Sequence, residues 1–530
     1  MLFRSSLQLP NQDIVEHKDT IKWLGIYFDN RLSFRGHTAI RASQAKAAFN
    51  RLGRLANIDR GLSPQAIRQI YLACVASIAD YGSPVYWKNQ SYIRDQLQPL
   101  HNAACRKILG VFKTAPAIPT SIEASLPSLE TRLSQTNRKY ALRAIQLAKT
   151  HPIQKAIARL NKTKLQKSKQ PKKPRQLETI TSSIPTVQER EEIVPYRFKP
   201  WDSLNYNVLI LKKSKEEEAA AHKDYLLENT SIVIYSDASQ TKDGKGIGVG
   251  IAVYNQYLDE IYAETKNIGE HQLVYNGELE GITTAFEYAA KTAQKNQNIH
   301  VYADNQAAIY RLSSLSDKPG QRWVIRCQKA AKAIQNKKAK ISLRWVPGHL
   351  DIEGNERADL LAKQATKQPL KKQETSLAFL GTKIKLLQQA SQRTEWLKYK
   401  EKAKERKASY GATFNLKLRQ RLAIPRGTKR DIASAFYALK IGHGYFNAYL
   451  KRVNRRDSDL CSCGRPQTAE HILLYCRYYS AERNQLKKTL DQKLIKIPLL
   501  LHTTSGIEAT LAFITSTQVA TRKWHLGQED

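Results

Sequence analysis

The spacing of hydrophobic and polar positions changes twice along this chain, and the changes divide it. Over residues 38–160 and again over 375–452, apolar residues recur every three or four positions, as in "PQAIRQIYLACVASIADYG" and "DIASAFYALKIGHGYFNAYLKRV", which predicts amphipathic helices. Between them the period shortens. "SIVIYSDAS" (231–239), "GIGVGIAVYN" (246–255) and "LDEIYAETKNI" (258–268) are β-rich runs separated by "QTKDGK" and "QY", which predicts an antiparallel meander. A helix from about 275 to 292, a strand "IHVYAD", a helix from 305, a helix around 321–336, a strand "ISLRWVP" and a helix from about 355 follow. The order βββαβααβα predicts an α/β domain, a mixed five-stranded sheet with flanking helices, set between mainly helical N- and C-terminal regions.

Charge sharpens these boundaries. The 530 residues carry 86 Lys plus Arg against 47 Asp plus Glu, a net of +39. Between 229 and 367 there are 18 basic and 15 acidic residues, so almost all of the excess lies on the flanks. An excess of this size points to a polyanionic partner, nucleic acid before any other. Residues 161–175, "NKTKLQKSKQPKKPR", read as a solvated tether or a nucleic-acid-binding arm, and "KKPR" within it also fits a nuclear import signal. The expected organisation is therefore a helical region over 1–155, a basic linker over 156–228 and the α/β domain over 229–368. A helical basic region over 369–455, a cysteine-histidine segment over 456–490 and a tail over 491–530 complete it. No apolar run approaches the ~18 residues of a membrane span, and "MLFRSSLQLPNQD" lacks the apolar core of a signal peptide. An intracellular protein without a membrane partner is expected. No internal repeat is visible.

The acidic residues of the α/β segment fall at informative places. Asp237 ends the first predicted strand, Glu278 lies near the start of the first long helix, Asp304 ends the fourth strand and Asp359 lies early in the last helix. Strand ends and helix starts on one sheet edge are where sites gather. Carboxylates converging there cannot all stay ionised without a neutralising cation. Oxygen ligands suit Mg²⁺ or Mn²⁺, and two such ions about 4 Å apart would activate water and stabilise the leaving oxygen of a phosphodiester. His349, on the glycine-containing loop "PGHLDIEGN" ahead of Asp359, suits proton relay or product release. Any one of these acids alone would read as a surface carboxylate or a helix cap. Their ordered placement is what points to a site.

The blocks "YSDAS", "YNGELEGI", "YADNQAAI" and "WVPGHLDIEGNERADLLAKQA" resemble, in order and spacing, those of the type 1 ribonuclease H domain in the form carried by non-LTR, LINE-like retrotransposons. The resemblance implies a ribonuclease H-like fold, with Asp237, Glu278, Asp304 and Asp359 as ligands of two Mg²⁺ or Mn²⁺ ions and His349 as the catalytic histidine. It implies cleavage of the RNA strand of RNA/DNA hybrids, with Asn355 supporting the last block. Asn305 and Gln306, polar groups beside Asp304, are candidate readers of the RNA strand. The long tryptophan- and lysine-rich protrusion that some cellular enzymes use to grip the hybrid has no counterpart between Asp304 and His349, so grip would fall to the basic flanks.

The flanks extend the resemblance. "IKWLGIYFDNRLSF", "YGSPVYW" and "AACRKILGVFKTAPAIPTSIEASLPSLETR" look like the region after the palm of a retrotransposon reverse transcriptase, including its thumb. No pair of adjacent aspartates precedes them, so the polymerase centre is expected to be absent and a reverse transcriptase acting in trans becomes a candidate partner. Asp29 in "YFDNRL" reads as a turn residue.

"CSCGRPQTAEHILLYCRYYSAER" holds Cys461, Cys463, His471 and Cys476, a donor set that suits one tetrahedral structural Zn²⁺, although the first spacing is tighter than the usual C-x2-C. With "GHGYFNAYLKRV" before it, the stretch is similar to the C-terminal knuckle of retrotransposon polyproteins. The competing reading is reduced cysteines on the apolar face "HILLYC". Cys74, Cys105 and Cys327 sit in helical apolar patterns and read as core, and His443 in "GHG" reads as a turn residue.

Two other functions fit parts of the pattern. A DDE-type transposase or integrase shares the fold and the metals but ends on a Glu and lacks this loop histidine. A catalytically silent nucleic-acid-binding remnant would share the charge.

Overall fold

The computed structural model describes the chain apart from residues 1–6, 17, 148–149, 166–174, 186–188, 211–213, 229–231, 242–245, 349, 371–373, 406–408 and 528–530. Most of the lysine-rich arm, including the lysines of "KKPR", thus lies outside the described residues, as does His349. The chain divides into two compact units, one formed by Met1–Asn137 with Leu386–Asp530 and the other by Arg138–Lys385.

The second unit is built on a six-stranded mixed sheet. Its elements are β1 (Asn207–Leu209), α1 (Lys215–Glu228), β2 (Ile232–Gln240), β3 (Ile247–Tyr254), β4 (Glu260–Asn267), α2 (Val274–Thr292), β5 (Asn298–Ala303), α3 (Gln306–Leu312), α4 (Gln321–Asn336), β6 (Lys340–Trp345) and α5 (Glu353–Ala365). The strand order is β1-β6-β5-β2-β3-β4. β2, β3 and β4 pair antiparallel, as their short separations predict, whereas β5 and β6 join parallel to β2 and to each other after helical crossovers. The architecture is ribonuclease H-like, and the sequence expectation of five strands is corrected to six. The additional strand, β1, comes from the segment read as a basic linker and pairs parallel with β6 over Ser342–Arg344. A three-residue edge strand carries too short a pattern to declare itself; the neighbouring strand selects it.

Side chains from the two sides of the sheet form separate cores. One gathers Ile234, Ile251, Val301 and Ala303 with α2 and α4, and the other gathers Val233, Tyr235, Tyr254 and Tyr302 with α5. Two glycines set the helix distances. A Cβ on Gly277 of α2 would lie 2.6 Å from the Cβ of Ala238, and one on Gly250 of β3 would lie 2.5 Å from the carbonyl oxygen of Ala358 in α5. Without side chains there, both helices press against the strands that carry the first acidic block.

Segments outside the predicted domain complete this unit. Glu191, fully buried, accepts from the backbone N–H of Gly320 at the start of α4 and of Leu377, and residues 189–191 bond to Thr375. His222 of α1 hydrogen-bonds the Tyr235 hydroxyl and packs on the Tyr302 ring.

The first unit opens with two short antiparallel hairpins, Leu7–Gln8 with Ile14–Val15 and Thr20–Trp23 with Ile26–Asp29, and is otherwise mainly helical around one hydrophobic core that mixes residues 34–133 with residues 396–520. The two amphipathic regions, distant in sequence, therefore bury their apolar stripes against each other. The ion pair between Glu123 and Lys440 lies inside this core, and Tyr410 also donates to Glu123. Asp29 is a turn residue whose carboxylate accepts from the backbone of Arg31, Ser33 and Phe34. Cys105 and Cys327 are buried as expected, whereas Cys74 is exposed, because the helical turn that carries it turns its other face to the core. Among the described residues no helix is long and apolar enough to cross a membrane.

Candidate active site

Strand register brings the first two acids together. β2 and β5 run parallel with Ser236 opposite Ala303, so Asp237 and Asp304 come next on the neighbouring strands. Asp304 follows the end of β5 as expected, whereas Asp237 lies inside β2, which continues to Gln240 in its pairing with β3, and Asp359 lies midway along α5 rather than at its start. Glu278 reaches the same place from α2, whose close seat on β2 is set by Gly277. Carboxylate oxygens of Asp237, Glu278 and Asp304 lie within 4.8 Å of one another.

The electrostatics follow from that proximity. Burial, and then the negative charge of Asp304, push Asp237 up to about 7, even though the Ala238 backbone N–H donates to its carboxylate at 2.7 Å. Glu278 is raised well above the usual carboxylate range by burial and by the charges of Asp237 and Asp304, and its Oε2 is buried without a hydrogen-bond partner. A buried acceptor of this kind is costly unless something satisfies it.

Glu280, two residues further along α2, makes the contrast. It is equally buried, but Trp323 donates to it at 2.6 Å, and Lys266 and Arg326 pair with it at 2.6 and 2.7 Å. Burial alone would raise its pKa, but Arg326 and Lys266 hold it at about 2. Glu280 is thus already neutralised by the protein, and Glu278 is surrounded by its own kind.

Asp359 stands outside the close trio. It lies on α5 near enough for its charge to act on Asp237, and its carboxylate pairs with Lys363 one turn on at 2.5 Å. The four expected ligands therefore divide three and one. Gly348, the residue before His349, is held close to Asp304: a Cβ there would lie 2.5 Å from Oδ2. Asn305 caps α3, its side-chain oxygen accepting from the Ala308 N–H at 3.1 Å, while Gln306 is exposed in the first turn. Asn355 is buried with its Oδ1 unpartnered. Neither Lys363 nor the Glu280–Arg326 pair was legible in the sequence as a neighbour of the acids. The i,i+4 spacing of Asp359 and Lys363 was the one local signal that could have pointed to the first of them.

A second cluster lies in the other unit. Cys461, Cys463, His471 and Cys476 bring ligand atoms within 4.8 Å of one another. Cys461 and Cys476 are 3.8 Å apart at sulfur, and the Cys463 sulfur is 3.1 Å from Nε2 of His471. The turn from Cys461 to Gly464 and the start of the His471–Tyr475 segment face one another across the short Leu460–Pro466 bridge. The apolar face "HILLYC" is buried through Ile472, Leu473 and Cys476, and Cys461 is buried too, so the burial of these two thiols fits the core reading while the convergence of four donor atoms fits the ligand reading.

Three comparisons bear on the chain. Residues 229–367 match the RNase H family model. No curated protein matches. Among solved structures, similarity is found to the N-terminal RNase H domain of a Mycobacterium tuberculosis protein, solved as a fusion with maltose-binding protein, at 19% identity over 26% of this chain and 99% of that one, with a TM-score of 0.22. RNase H1 from the halophilic archaeon Halobacterium salinarum shows 21% identity over 26% and 96% of the two chains, with a TM-score of 0.21. LC11-RNase H1, isolated from compost by a metagenomic approach, shows 18% identity over 26% and 96%, also at 0.21. With its sheet topology and its family match, the segment 229–367 is an RNase H domain.

Proposed function

We propose that this domain hydrolyses the RNA strand of RNA/DNA hybrids, leaving 5′-phosphate and 3′-hydroxyl ends, by the two-metal chemistry of type 1 ribonucleases H. The observation that carries this reading is the trio Asp237, Glu278 and Asp304, whose crowded and desolvated charges call for a cation that no side chain among the described residues supplies to Glu278 as Arg326 does to Glu280. The all-oxygen donor set and the orphaned Oε2 of Glu278 fit Mg²⁺ or Mn²⁺. Two such ions, when bound, would supply an activated water and charge stabilisation for the leaving oxygen.

The protein's own groups have separable tasks. Asp237, Glu278 and Asp304 hold the shared position. Asp359, on a different helix, completes it on the side where Lys363 now pairs with it. His349 follows Gly348, which abuts Asp304, and would move a proton or assist product departure. Asn305 contributes mainly by capping α3, which leaves exposed Gln306 the better placed of the two to meet the RNA strand. Asn355, with a buried unsatisfied oxygen, supports the start of α5. Recognition would rest on hybrid shape and 2′-hydroxyls rather than base sequence.

Origin in a non-LTR retrotransposon, a reverse transcriptase-like helical region before the domain and a structural Zn²⁺ at Cys461, Cys463, His471 and Cys476 belong to the same reading. So do a polymerase supplied in trans and entry to the nucleus. They rest on the sequence blocks and on the convergence of the four cysteine and histidine ligands. The deciding experiment is a cleavage assay on a labelled RNA/DNA hybrid with purified full-length protein, with and without Mg²⁺. Metal-dependent cuts in the RNA strand alone support the reading. A folded protein that binds the hybrid and leaves it whole would sink it in favour of a silent nucleic-acid-binding remnant.

A further inference from the structure

The stretch "LLYCRYYS" carries three tyrosines beside the Cys/His cluster, and the fold treats them differently. Tyr479 is used for packing. Its hydroxyl accepts from the Trp524 indole N–H at 2.9 Å, and its ring meets Phe513 edge-on at 6.1 Å. Tyr475 and Tyr478 point outward, 58% and 56% exposed, on either side of the buried Cys476. The backbone that presents them is fixed from beneath, because the buried Arg483 donates to the carbonyls of Leu473 and Cys476 at 3.1 and 2.5 Å. Two large rings held out on a pinned turn leave apolar area in water that folding did not use.

Their surroundings are cationic. Arg477, between them and exposed, lies over the Tyr478 ring with its guanidinium carbon 5.4 Å from the centroid. Arg465 is exposed at the edge of the cluster, its backbone oxygen accepting from the Cys461 N–H at 2.8 Å. By contrast, Lys451 is paired with Asp459, and Arg456 donates to Asn447. Tyr475 also borders a cavity of about 430 Å³ whose wall includes Phe414, Leu474, Ile495, Lys496 and Pro498. Two exposed rings flanking an exposed guanidinium group, beside a mainly aliphatic recess, suit bases that are free to unstack. The bases of a duplex are stacked on each other and offer no such face.

We propose that Tyr475 and Tyr478 form a stacking platform for single-stranded nucleic acid, with Arg465 and Arg477 meeting its phosphates. This deepens the nucleic-acid partner of the reading above and is separable from cleavage, because the platform belongs to the helical unit and the carboxylates to the other.

The test is fluorescence anisotropy with the full chain and labelled single strands of about 12 nucleotides, RNA and DNA, alongside the duplex and the hybrid of the same sequence. The double variant Tyr475→Ala/Tyr478→Ala should weaken single-strand binding about tenfold or more without changing its salt dependence, while Tyr475→Phe/Tyr478→Phe, which keeps the rings, should bind within about twofold of wild type. Arg465→Gln and Arg477→Gln should instead lower the salt slope by about 0.7 for each phosphate that is no longer neutralised. Thermal unfolding of all these variants, and hybrid cleavage by the tyrosine variants, should match wild type. Unchanged single-strand affinity in the alanine variant, an equal loss on duplex, or an equal loss in the phenylalanine variant would each overturn the platform. Wild-type protein that cleaves hybrid but ignores single strands would remove this inference and leave the nuclease reading standing; stacking without cleavage would do the reverse.

Discussion

Asp237 and Asp304 are adjacent because Ser236 pairs with Ala303: one step past that pair, where β5 ends and β2 runs on beside β3, the two parallel strands each carry a carboxylate. Burial and Asp304 together push Asp237 up to about 7, so the metal-free site is under electrostatic tension. Replacing either acid with its amide should therefore do two opposite things. Asp237→Asn or Asp304→Asn should reduce hybrid cleavage by orders of magnitude while leaving hybrid binding largely intact, since the lost interactions act on the transition state. In Mg²⁺-free buffer at pH 8 the same variants should melt no lower than wild type, because a like-charge repulsion has been removed. Near-full activity of either variant in Mg²⁺ would show that the two-metal reading is wrong.

The loop histidine is expected to assist rather than to hold metal. His349→Ala should lower turnover about ten- to a hundredfold and still cleave, as is typical where proton transfer is helped and the metals carry the rest. Total loss with an unchanged melting curve would make His349 a ligand instead, and an unchanged rate would make it a bystander.

Gly250 couples packing to chemistry. It pairs across the sheet with Asp237, and a methyl group on it would meet the Ala358 carbonyl oxygen, one residue before Asp359. Gly250→Ala should cost about 1–3 kcal/mol through overpacking and should weaken metal binding more than that loss alone accounts for, because α5 must move outward with Asp359. Denaturant midpoints and Mg²⁺ titrations of activity read the two effects separately. A variant as stable as wild type would mean that the helix yields freely.

Glu280 sets a pH limit that is independent of catalysis. Its folded pKa of about 2 lies below the ordinary 4.5, so the group stabilises the fold above about pH 4.5, and that contribution is lost as pH falls from there toward about 2. The shift corresponds to roughly 3 kcal/mol. Glu280→Gln should be destabilised by an amount of that order at pH 7 and should show a flatter stability profile between pH 4.5 and 2 than wild type. Parallel profiles would show that Arg326 finds enough compensation in Glu287.

The cysteine-histidine cluster should carry about one Zn per chain in protein purified under reducing conditions without chelator. A chelator should unfold that segment locally, since metal-binding energy is folding energy in so small a structure. Ribonuclease activity should return once Mg²⁺ is restored, because its ligands are oxygens in the other unit. Elemental analysis that finds no zinc would leave Cys461 and Cys476 as buried thiols.

What the sequence by itself determined is what local chemistry determines. The β-rich runs "SIVIYSDAS" and "GIGVGIAVYN" set strands, which the structure buries on both faces, the spacing after them set helices, and the four acids fell on four of these elements in an order from which a site could form. Even Asp29 could be assigned to a turn, because a short carboxylate that serves nearby backbone N–H groups needs only its neighbours. The tertiary structure decided whatever depends on residues far along the chain. Glu278 and Glu280 are nearly alike in sequence, yet one faces Asp237 and Asp304 and the other faces Arg326 and Lys266, so only packing separates an acid that needs a cation from one that has it. The strand Asn207–Leu209 exists because Lys340–Trp345 offers an open edge, and the two helical regions share one core because each leaves an apolar stripe that water would otherwise cover. Hydrophobic burial is non-directional, so the pattern says that such a stripe must be covered but not by what; the partner is fixed only when the whole chain packs.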